Sequence, residues 1–127
     1  IAKRRTICEK YSGYFSKCAW AQLPEMRTDI KESCYHLYPL RIKNCSEAQR
    51  DAIIKEVFER DVSVNVHFIP VPMMSFYKAL GYDMKNYPVA YDNYSREISL
   101  PVFYDITDEQ IRTVAEAVMA AVEKVMK

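Results

Sequence analysis

The sequence predicts an α+β domain of two layers, in which a three-stranded, mostly antiparallel sheet packs against long N- and C-terminal helices. Three observations support this. The end of the chain carries apolar residues at helical spacing, the middle alternates apolar and polar residues with a period of two, and helix-capping pairs lie between such segments. The 127 residues correspond to one domain, and 50% of them are hydrophobic, so a real core can form.

Composition excludes several classes of function. The formal net charge of +1 gives no electrostatic basis for binding nucleic acid or an anionic membrane. No apolar run approaches a membrane span, and the first residues lack the apolar core of a signal peptide, so we expect a cytoplasmic protein. The four cysteines fit reduced thiols, and neither they nor the two histidines have metal-site spacing. Gly13 and Gly81 alone cannot form a phosphate-binding glycine loop.

The chain opens with a predicted helix over residues 1–17. Its apolar stripe consists of Ile7, Tyr11, Tyr14 and Phe15. Because the chain begins with Ile1 rather than Met, already inside this helix, we expect it to be a piece of a longer protein. Residues 18–31 contain Pro24 and are predicted to form a loop or irregular helix.

A first strand is predicted over residues 33–43. One face would carry Cys34, His36, Tyr38, Leu40 and Ile42. Pro39 cannot donate to a sheet ladder, which favours an edge position for this strand. A histidine among aromatic residues, such as His36, is more often a packed residue than a ligand.

A second helix is predicted to begin at the capping box of Ser46 and Gln49 and to end near Arg60. Its apolar stripe consists of Ile53, Ile54, Val57 and Phe58. Asp51 and Lys55 have the spacing of an ion pair, and Asp61 is expected in the left-handed stop position.

The segment 62–72 is predicted to be the second strand, and the rest of the domain is organised around it. Val62, Val64, Val66 and Phe68 would share the face that meets the helices. His67 would lie on the other, more polar face, and Pro70 and Pro72 must end the strand. A histidine beside such a rigid turn is a candidate wall of a site, although most such histidines are simply hydrogen-bonded.

Four further elements complete the chain. Short helices are predicted over residues 73–80, ended by Gly81, and over residues 89–94, followed by a third strand over residues 96–102. The last helix begins at a capping box of Thr107 and Gln110. Its continuous apolar stripe is typical of core packing rather than of a cofactor site: Ile111, Val114, Ala115, Val118, Met119, Val122, Val125 and Met126.

The order of these elements predicts the topology of the sheet. The first two strands, joined by a helix, would form a right-handed parallel crossover, and the third strand would fit between them, antiparallel to both. The two long helices would cover the apolar face. The strands are too apolar for the other face to be bare, so we expect it to be covered as well.

Four short segments occur in an order that resembles one enzyme family. They are Tyr35–Arg41 (YHLYPLR), Val66–Pro72 (VHFIPVP), Phe76–Tyr77 and Glu97–Pro101 (EISLP). Together they resemble the C-terminal small domain of the DegT/StrS-type sugar aminotransferases, which have the aspartate-aminotransferase fold. The resemblance covers residues 1–127, with residues 1–17 matching the interdomain helix.

The resemblance implies an activity for a parent enzyme. That enzyme would use pyridoxal 5'-phosphate (PLP) to transfer an amino group from glutamate to a nucleotide-linked keto-sugar, and it would work as a homodimer. Its Schiff-base lysine and PLP contacts would lie in a large N-terminal domain that this chain lacks. We therefore expect no catalytic residue here, no PLP bound to this chain alone, and no activity of the isolated chain.

What the chain would supply, by the same resemblance, is the substrate-side wall of the active site. The implied residues are His67, Phe68, Pro70, Pro72, His36, Tyr38 and Arg96. Two positions depart from the family pattern. Many members have a second histidine where Pro72 stands, and a glycine is common where Asp61 stands.

Two other functions remain compatible with the sequence. The first is a stand-alone binding or regulatory module of ferredoxin-like type; an RNA-binding variant is disfavoured because the third strand lacks the basic and aromatic consensus. The second is a small domain from another branch of the aspartate-aminotransferase fold that acts on amino acids. That branch would need an arginine to clamp an α-carboxylate, for which Arg41 and Arg96 are candidates.

Overall fold

A three-stranded antiparallel sheet in the order β1-β2-β3 forms one layer of the domain, and helices form the other. The computed structural model describes residues 1–127. The elements are α1 (Ala2–Phe15), β1 (Ala21–Gln22), β2 (Tyr38–Ile42), α2 (Glu47–Phe58), α3 (Ser75–Ala79), α4 (Pro88–Ser95), β3 (Glu97–Leu100) and α5 (Asp108–Val125), with single 3-10 turns at Val71–Met73 and Met84–Asn86. The predicted α+β class is confirmed. None of the helices combines the length and apolar character needed to cross a membrane.

Both predicted capping boxes are confirmed. The Gln49 backbone N–H donates to Ser46 Oγ (3.3 Å), and the Ser46 N–H donates to Gln49 Oε1 (2.9 Å). The same reciprocal pair joins Thr107 and Gln110 at the start of α5. These bonds satisfy backbone donors that a helix start otherwise leaves unpaired. The ion pair expected within α2 is wrong, because Asp51 pairs with Arg50 instead (Oδ1 to Nε, 2.7 Å).

The core lies between the sheet and the three long helices. Tyr38, Leu40 and Ile42 of β2 point towards α1, α2 and α5, together with Ile98 and Leu100 of β3. The stripe predicted for α5 is buried at Ile111, Val114, Ala115, Val118 and Val122. Burial of this apolar surface is the main stabilising term of the fold.

The first two strands differ from their prediction. β1 is too short to produce a periodic signal, and residues 18–31 were expected to lack a strand. β2 begins at Tyr38 rather than at residue 33, because Tyr35 has a left-handed φ of 56°, which an extended strand cannot contain. Cys34 and His36, expected on the same face as Tyr38, are exposed as a result.

The edge position expected from Pro39 is also wrong, because β2 lies between β1 and β3. The Ile42 N–H donates to the Arg96 carbonyl (2.9 Å), at the start of the β2–β3 pairing. Because N–H directions alternate along a strand, the Pro39 nitrogen faces the β1 side. Pairing with β1 has already ended at Gln22, so the missing N–H leaves no carbonyl without a donor.

The segment 62–72 forms only a single bridge with β3. Asn65 and Ser99 exchange two backbone hydrogen bonds (Asn65 N to Ser99 O, 3.2 Å; Ser99 N to Asn65 O, 2.7 Å). The expected order, with β3 between β2 and this segment, is thus confirmed, whereas the expected full strand is wrong. Val62 and Val64 are buried as predicted, but Phe68 is 72% exposed.

Candidate functional site

A cleft of about 630 Å³ opens on the face of the sheet that is turned away from the core. Side chains alternate between the faces of a strand, so Pro39 and Arg41 of β2 lie opposite the buried Tyr38 and Leu40. Across the strands, Pro39 pairs with Ser99 and Arg41 pairs with Glu97. The residues that line the cleft include Pro39, Arg41, His67, Phe68, Asn93 and Glu97. A smaller hollow of about 300 Å³ beside Asp61 holds none of these groups.

Glu97 places a buried carboxylate at the floor of the cleft, where the residue is only 6% exposed. The Ser99 hydroxyl donates to Oε1 (2.5 Å), and the His67 backbone N–H donates to Oε2 (3.3 Å). Burial raises the pKa of Glu97, and these two hydrogen bonds only partly oppose the shift. The carboxylate forms no ion pair, so its desolvation is opposed mainly by these hydrogen bonds, with a smaller electrostatic contribution from Arg50.

This raised pKa leads to a prediction for Glu97→Gln. The folded state holds the Glu97 proton more tightly than the unfolded chain does, because the pKa is raised by folding. Protonated Glu97 therefore stabilises the folded state at low pH. This contribution to the free energy of unfolding is lost as the pH rises through the pKa of the folded state. We expect Glu97→Gln to be more stable than the parent at pH 7, and the difference to shrink towards pH 4. Urea denaturation across this pH range measures both free energies of unfolding.

The control is Glu56→Gln, which removes a carboxylate paired with Lys124 (Oε1 to Nζ, 2.7 Å) on the helix side. It is expected to gain no stability at pH 7. A Glu97→Gln protein that is no more stable than the parent at pH 7 would show that burial does not penalise this carboxylate.

His67 lines the cleft beside Phe68. The two rings meet edge to face, with centroids 4.7 Å apart. The imidazole Nδ1 is buried and has no hydrogen-bond partner. Most buried polar atoms in proteins are paired, so an unpaired ring nitrogen in a residue that lines a cleft marks His67 as a candidate site residue.

Arg41 brings a cation into the same cleft. Its Nη1 donates to the Asn93 side-chain oxygen, a neutral partner. Asn93 lies on α4. The side-chain NH2 of Asn93 donates to the Val89 carbonyl (2.9 Å), which holds the Asn93 side-chain oxygen in place to accept from Arg41. The cleft therefore combines hydrogen-bond donors, acceptors and the apolar ring of Phe68, a combination typical of small-molecule sites.

The structure brings together three of the seven residues expected at the substrate wall, namely His67, Phe68 and Pro70. Pro72 is buried in a 3-10 turn and does not line the cleft. His36 is exposed and lies outside the cleft.

Tyr38 and Arg96 are also directed elsewhere. Tyr38 is fully buried on the helix side, where its hydroxyl meets Ser12 Oγ (3.0 Å). Arg96 is held by both carboxylate oxygens of Asp92 and by Gln22 Oε1 (2.7 Å). Strand alternation explains the placement of Tyr38, because the cleft takes the odd-numbered residues of β2.

Glu97 and Asn93 were missed as site residues, and Arg41 was considered only for another branch of the fold. A signal for Glu97 was present in the sequence. Glu97 and Ser99 alternate with Ile98 and Leu100 along the third predicted strand, which marks a polar face opposite an apolar one. Asn93 had no such signal, because its place in the cleft depends on how α4 packs.

The comparisons with known proteins identify the family of the chain. The model of the DegT/DnrJ/EryC1/StrS aminotransferase family matches residues 1–119. The chain belongs to this family. Its members are PLP-dependent, and the similar proteins include sugar transaminases.

Two sequence relatives and one solved structure illustrate the similarity. A UDP-4-amino-4,6-dideoxy-N-acetyl-beta-L-altrosamine transaminase from Campylobacter jejuni is 27% identical over 100% of this chain and 33% of its own length. A dTDP-4-dehydro-2,3,6-trideoxy-D-glucose 4-aminotransferase from Saccharopolyspora spinosa is 28% identical over 97% of this chain and 30% of its own. The PLP form of Spr1654 from Streptococcus pneumoniae, assigned as a sugar aminotransferase, superimposes with a TM-score of 0.94 at 33% identity, covering 99% of this chain and 32% of that one. The chain thus spans about a third of the length of these relatives.

The residues of the cleft do not by themselves fit PLP. An aminotransferase binds this cofactor through a lysine amine, with an acidic or basic partner for the pyridine nitrogen. The lysine at the cleft is Lys31, whose Nζ is paired with Glu25 Oε2 (2.6 Å). The Glu97 carboxylate is engaged by Ser99 and His67. The residues that line the cleft therefore do not form a complete PLP site.

Proposed function

We propose that this chain is the C-terminal small domain of an aminotransferase that transfers an amino group from glutamate to a keto-sugar carried on a nucleotide. Residues 1–127 would form this domain, with α1 as the interdomain helix. Two findings support the proposal: the family match, and relatives whose names specify amino groups on UDP- and dTDP-linked sugars. The observation that carries it is the polar cleft on the outer face of the sheet, with His67 and Phe68 at its wall.

In this proposal the chain binds and orients the sugar. The His67 ring would hydrogen-bond a sugar hydroxyl, and Phe68 would form an apolar wall against the pyranose ring. Glu97 and Arg41 make the floor polar, which favours a hydroxyl-rich ligand over an apolar one. Because a sugar nucleotide is large, contacts remote from the reacting carbon can position that carbon for reaction. The lysine and the PLP would be supplied by a large N-terminal domain, and the isolated chain would be inactive.

The exposed apolar residues support an assembly with that domain and with a second subunit. In the region from residue 69 to residue 89, several large apolar side chains are exposed to solvent: Ile69, Val71, Phe76, Leu80 and Val89. Several large apolar side chains exposed in one stretch of the chain favour an interface with a partner. We propose that this region is buried in the full-length homodimer.

The direct test is His67→Ala in the full-length enzyme. Loss of one hydrogen bond to the sugar is expected to lower kcat/KM for the nucleotide-sugar by about 10–100-fold, with the larger part in KM. The half-reaction with glutamate alone is expected to keep its rate. Steady-state and single-turnover kinetics measure the two half-reactions separately.

The matched control is His36→Ala, which removes the exposed histidine outside the cleft. Its kinetics are expected to match those of the parent. If both substitutions leave kcat/KM for the sugar unchanged, the cleft is not the substrate wall. If His36→Ala has the larger effect, the substrate lies on a different surface of the domain.

A further inference from the structure

We propose that Glu97 is a positioning residue that holds His67 in place for substrate binding through the His67 backbone. The inference rests on the proposed function for the identity of the ligand, but the contact itself belongs to this chain. Glu97 lies on a regular strand, whereas His67 lies in a segment without regular secondary structure. The carboxylate therefore links a rigid element to one that needs an anchor.

The hydrogen bonding of β3 explains why a side chain takes this role. Asn65 and Ser99 form a hydrogen-bonded pair, and in a regular antiparallel ladder the next such pair would be His67 with Glu97. The Glu97 carbonyl instead accepts from Arg50 Nη1 (3.2 Å), an arginine of α2. The His67 backbone N–H donates instead to the side-chain carboxylate of the same glutamate (3.3 Å to Oε2). The ladder thus ends after one bridge, and the carboxylate of Glu97 takes the place of its carbonyl.

The carboxylate is well suited to hold this position. Ser99 Oγ, on the same strand, donates to Oε1 at 2.5 Å and leaves Oε2 for the His67 N–H. Both oxygens are thereby oriented within a residue that is 6% exposed. An acceptor oxygen that is itself held in place favours a fixed geometry for the backbone of His67 and hence for its ring in the cleft.

Stability alone does not account for Glu97. A carboxylate buried without an ion pair costs free energy, and its raised pKa reflects that cost. A perturbed acid in a cleft is typical of functional sites. Glu97 acts here through His67, because its two oxygens are occupied by protein donors rather than free for the sugar.

Two variants separate hydrogen bonding from charge. Glu97→Leu removes both acceptor oxygens with little change in volume, and Glu97→Gln removes the charge but keeps an acceptor. In the full-length enzyme we expect Glu97→Leu to raise KM for the nucleotide-sugar by roughly 10-fold, with little change in kcat, and Glu97→Gln to restore most of the parental value. Equal effects of the two variants would overturn the proposal, because they would point to the charge rather than to the hydrogen bond.

A double-mutant cycle tests whether Glu97 acts through His67. The pair Glu97→Leu and His67→Ala is expected to be no worse than His67→Ala alone, since the positioned ring is already gone. If the increase in KM of the double variant equals the product of the two single increases, the proposal is overturned, and Glu97 contacts the sugar directly. Glu56→Leu, on the helix side, is the control and is expected to leave KM unchanged.

A measurement on the 127-residue chain itself separates this inference from the proposed function. Amide hydrogen exchange followed by NMR is expected to be about 10-fold faster at His67 in Glu97→Leu than in the parent or in Glu97→Gln. Unchanged exchange would overturn the inference, whatever the enzyme kinetics. A third outcome is faster exchange in Glu97→Leu together with a full-length enzyme whose kinetics do not change in His67→Ala. This outcome would support the contact between Glu97 and His67 and contradict the proposed function instead.

Discussion

Replacing Leu40 with Ala is expected to lower the free energy of unfolding by about 3 kcal/mol. Leu40 is fully buried on β2, directly across from Ile98 on β3, and its side chain points into the helix layer. Truncation removes apolar contacts and leaves a cavity that a packed sheet cannot easily close. Small domains are stable by only about 5–15 kcal/mol, so this loss would be large.

Urea denaturation of the chain measures the effect, with the slope of the transition as a check on two-state behaviour. Leu80→Ala is the matched control, because the same truncation falls on a side chain that is 61% exposed. It is expected to change the free energy of unfolding by less than about 0.5 kcal/mol. Equal losses for the two variants would contradict the placement of Leu40 in the core.

Replacing Arg50 with Met is expected to cost a similar amount, about 3 kcal/mol, for an electrostatic reason. The Arg50 side chain is 2% exposed, and its guanidinium lies 4.9 Å from the centre of the Tyr94 ring. It donates to the carbonyls of Tyr94 (2.6 Å) and Glu97 (3.2 Å). Methionine fills similar space but leaves both carbonyls without this donor, the Glu97 carbonyl in a buried contact and the Tyr94 carbonyl in a partly buried one.

Arg60→Met, at an exposed arginine just after α2, is the control and is expected to be close to neutral. Chemical denaturation of both variants gives the comparison. Because Arg50 joins α2 to the end of α4 and to β3, its loss is also expected to speed amide exchange along α4. An Arg50→Met protein as stable as Arg60→Met would show that the buried guanidinium is not a structural tie.

Local patterns were sufficient for most of the helices. The starts of α2 and α5 were predicted because a capping box is formed by residues three positions apart, which the sequence shows directly. The stop at Gly81 was also visible, since glycine readily takes the positive φ of 89° found there. Such features depend only on residues that are neighbours in the chain, so they can be predicted without knowledge of the fold.

The strands were predicted less well, for a reason that Pro39 and Tyr35 illustrate. Pro39 indicated an edge strand, but only the direction of its nitrogen and the length of β1 decide whether a proline is tolerated. Tyr35 adopts a left-handed conformation that no residue pattern indicated. Pairing partners are distant in sequence, so local periodicity does not determine where a strand begins or which side is covered.

The candidate site shows the same division. The sequence by itself determined the α+β class, the helix starts, and a histidine and a phenylalanine at the end of an alternating segment followed by prolines, because these are properties of short stretches. Only the tertiary structure decided which face of β2 opens to the cleft and that Tyr38 turns away from it. It also decided that Arg50 of α2 takes the Glu97 carbonyl and leaves the Glu97 carboxylate to hold His67. Those outcomes depend on competition for hydrogen bonds among residues far apart in the chain, which no local pattern records.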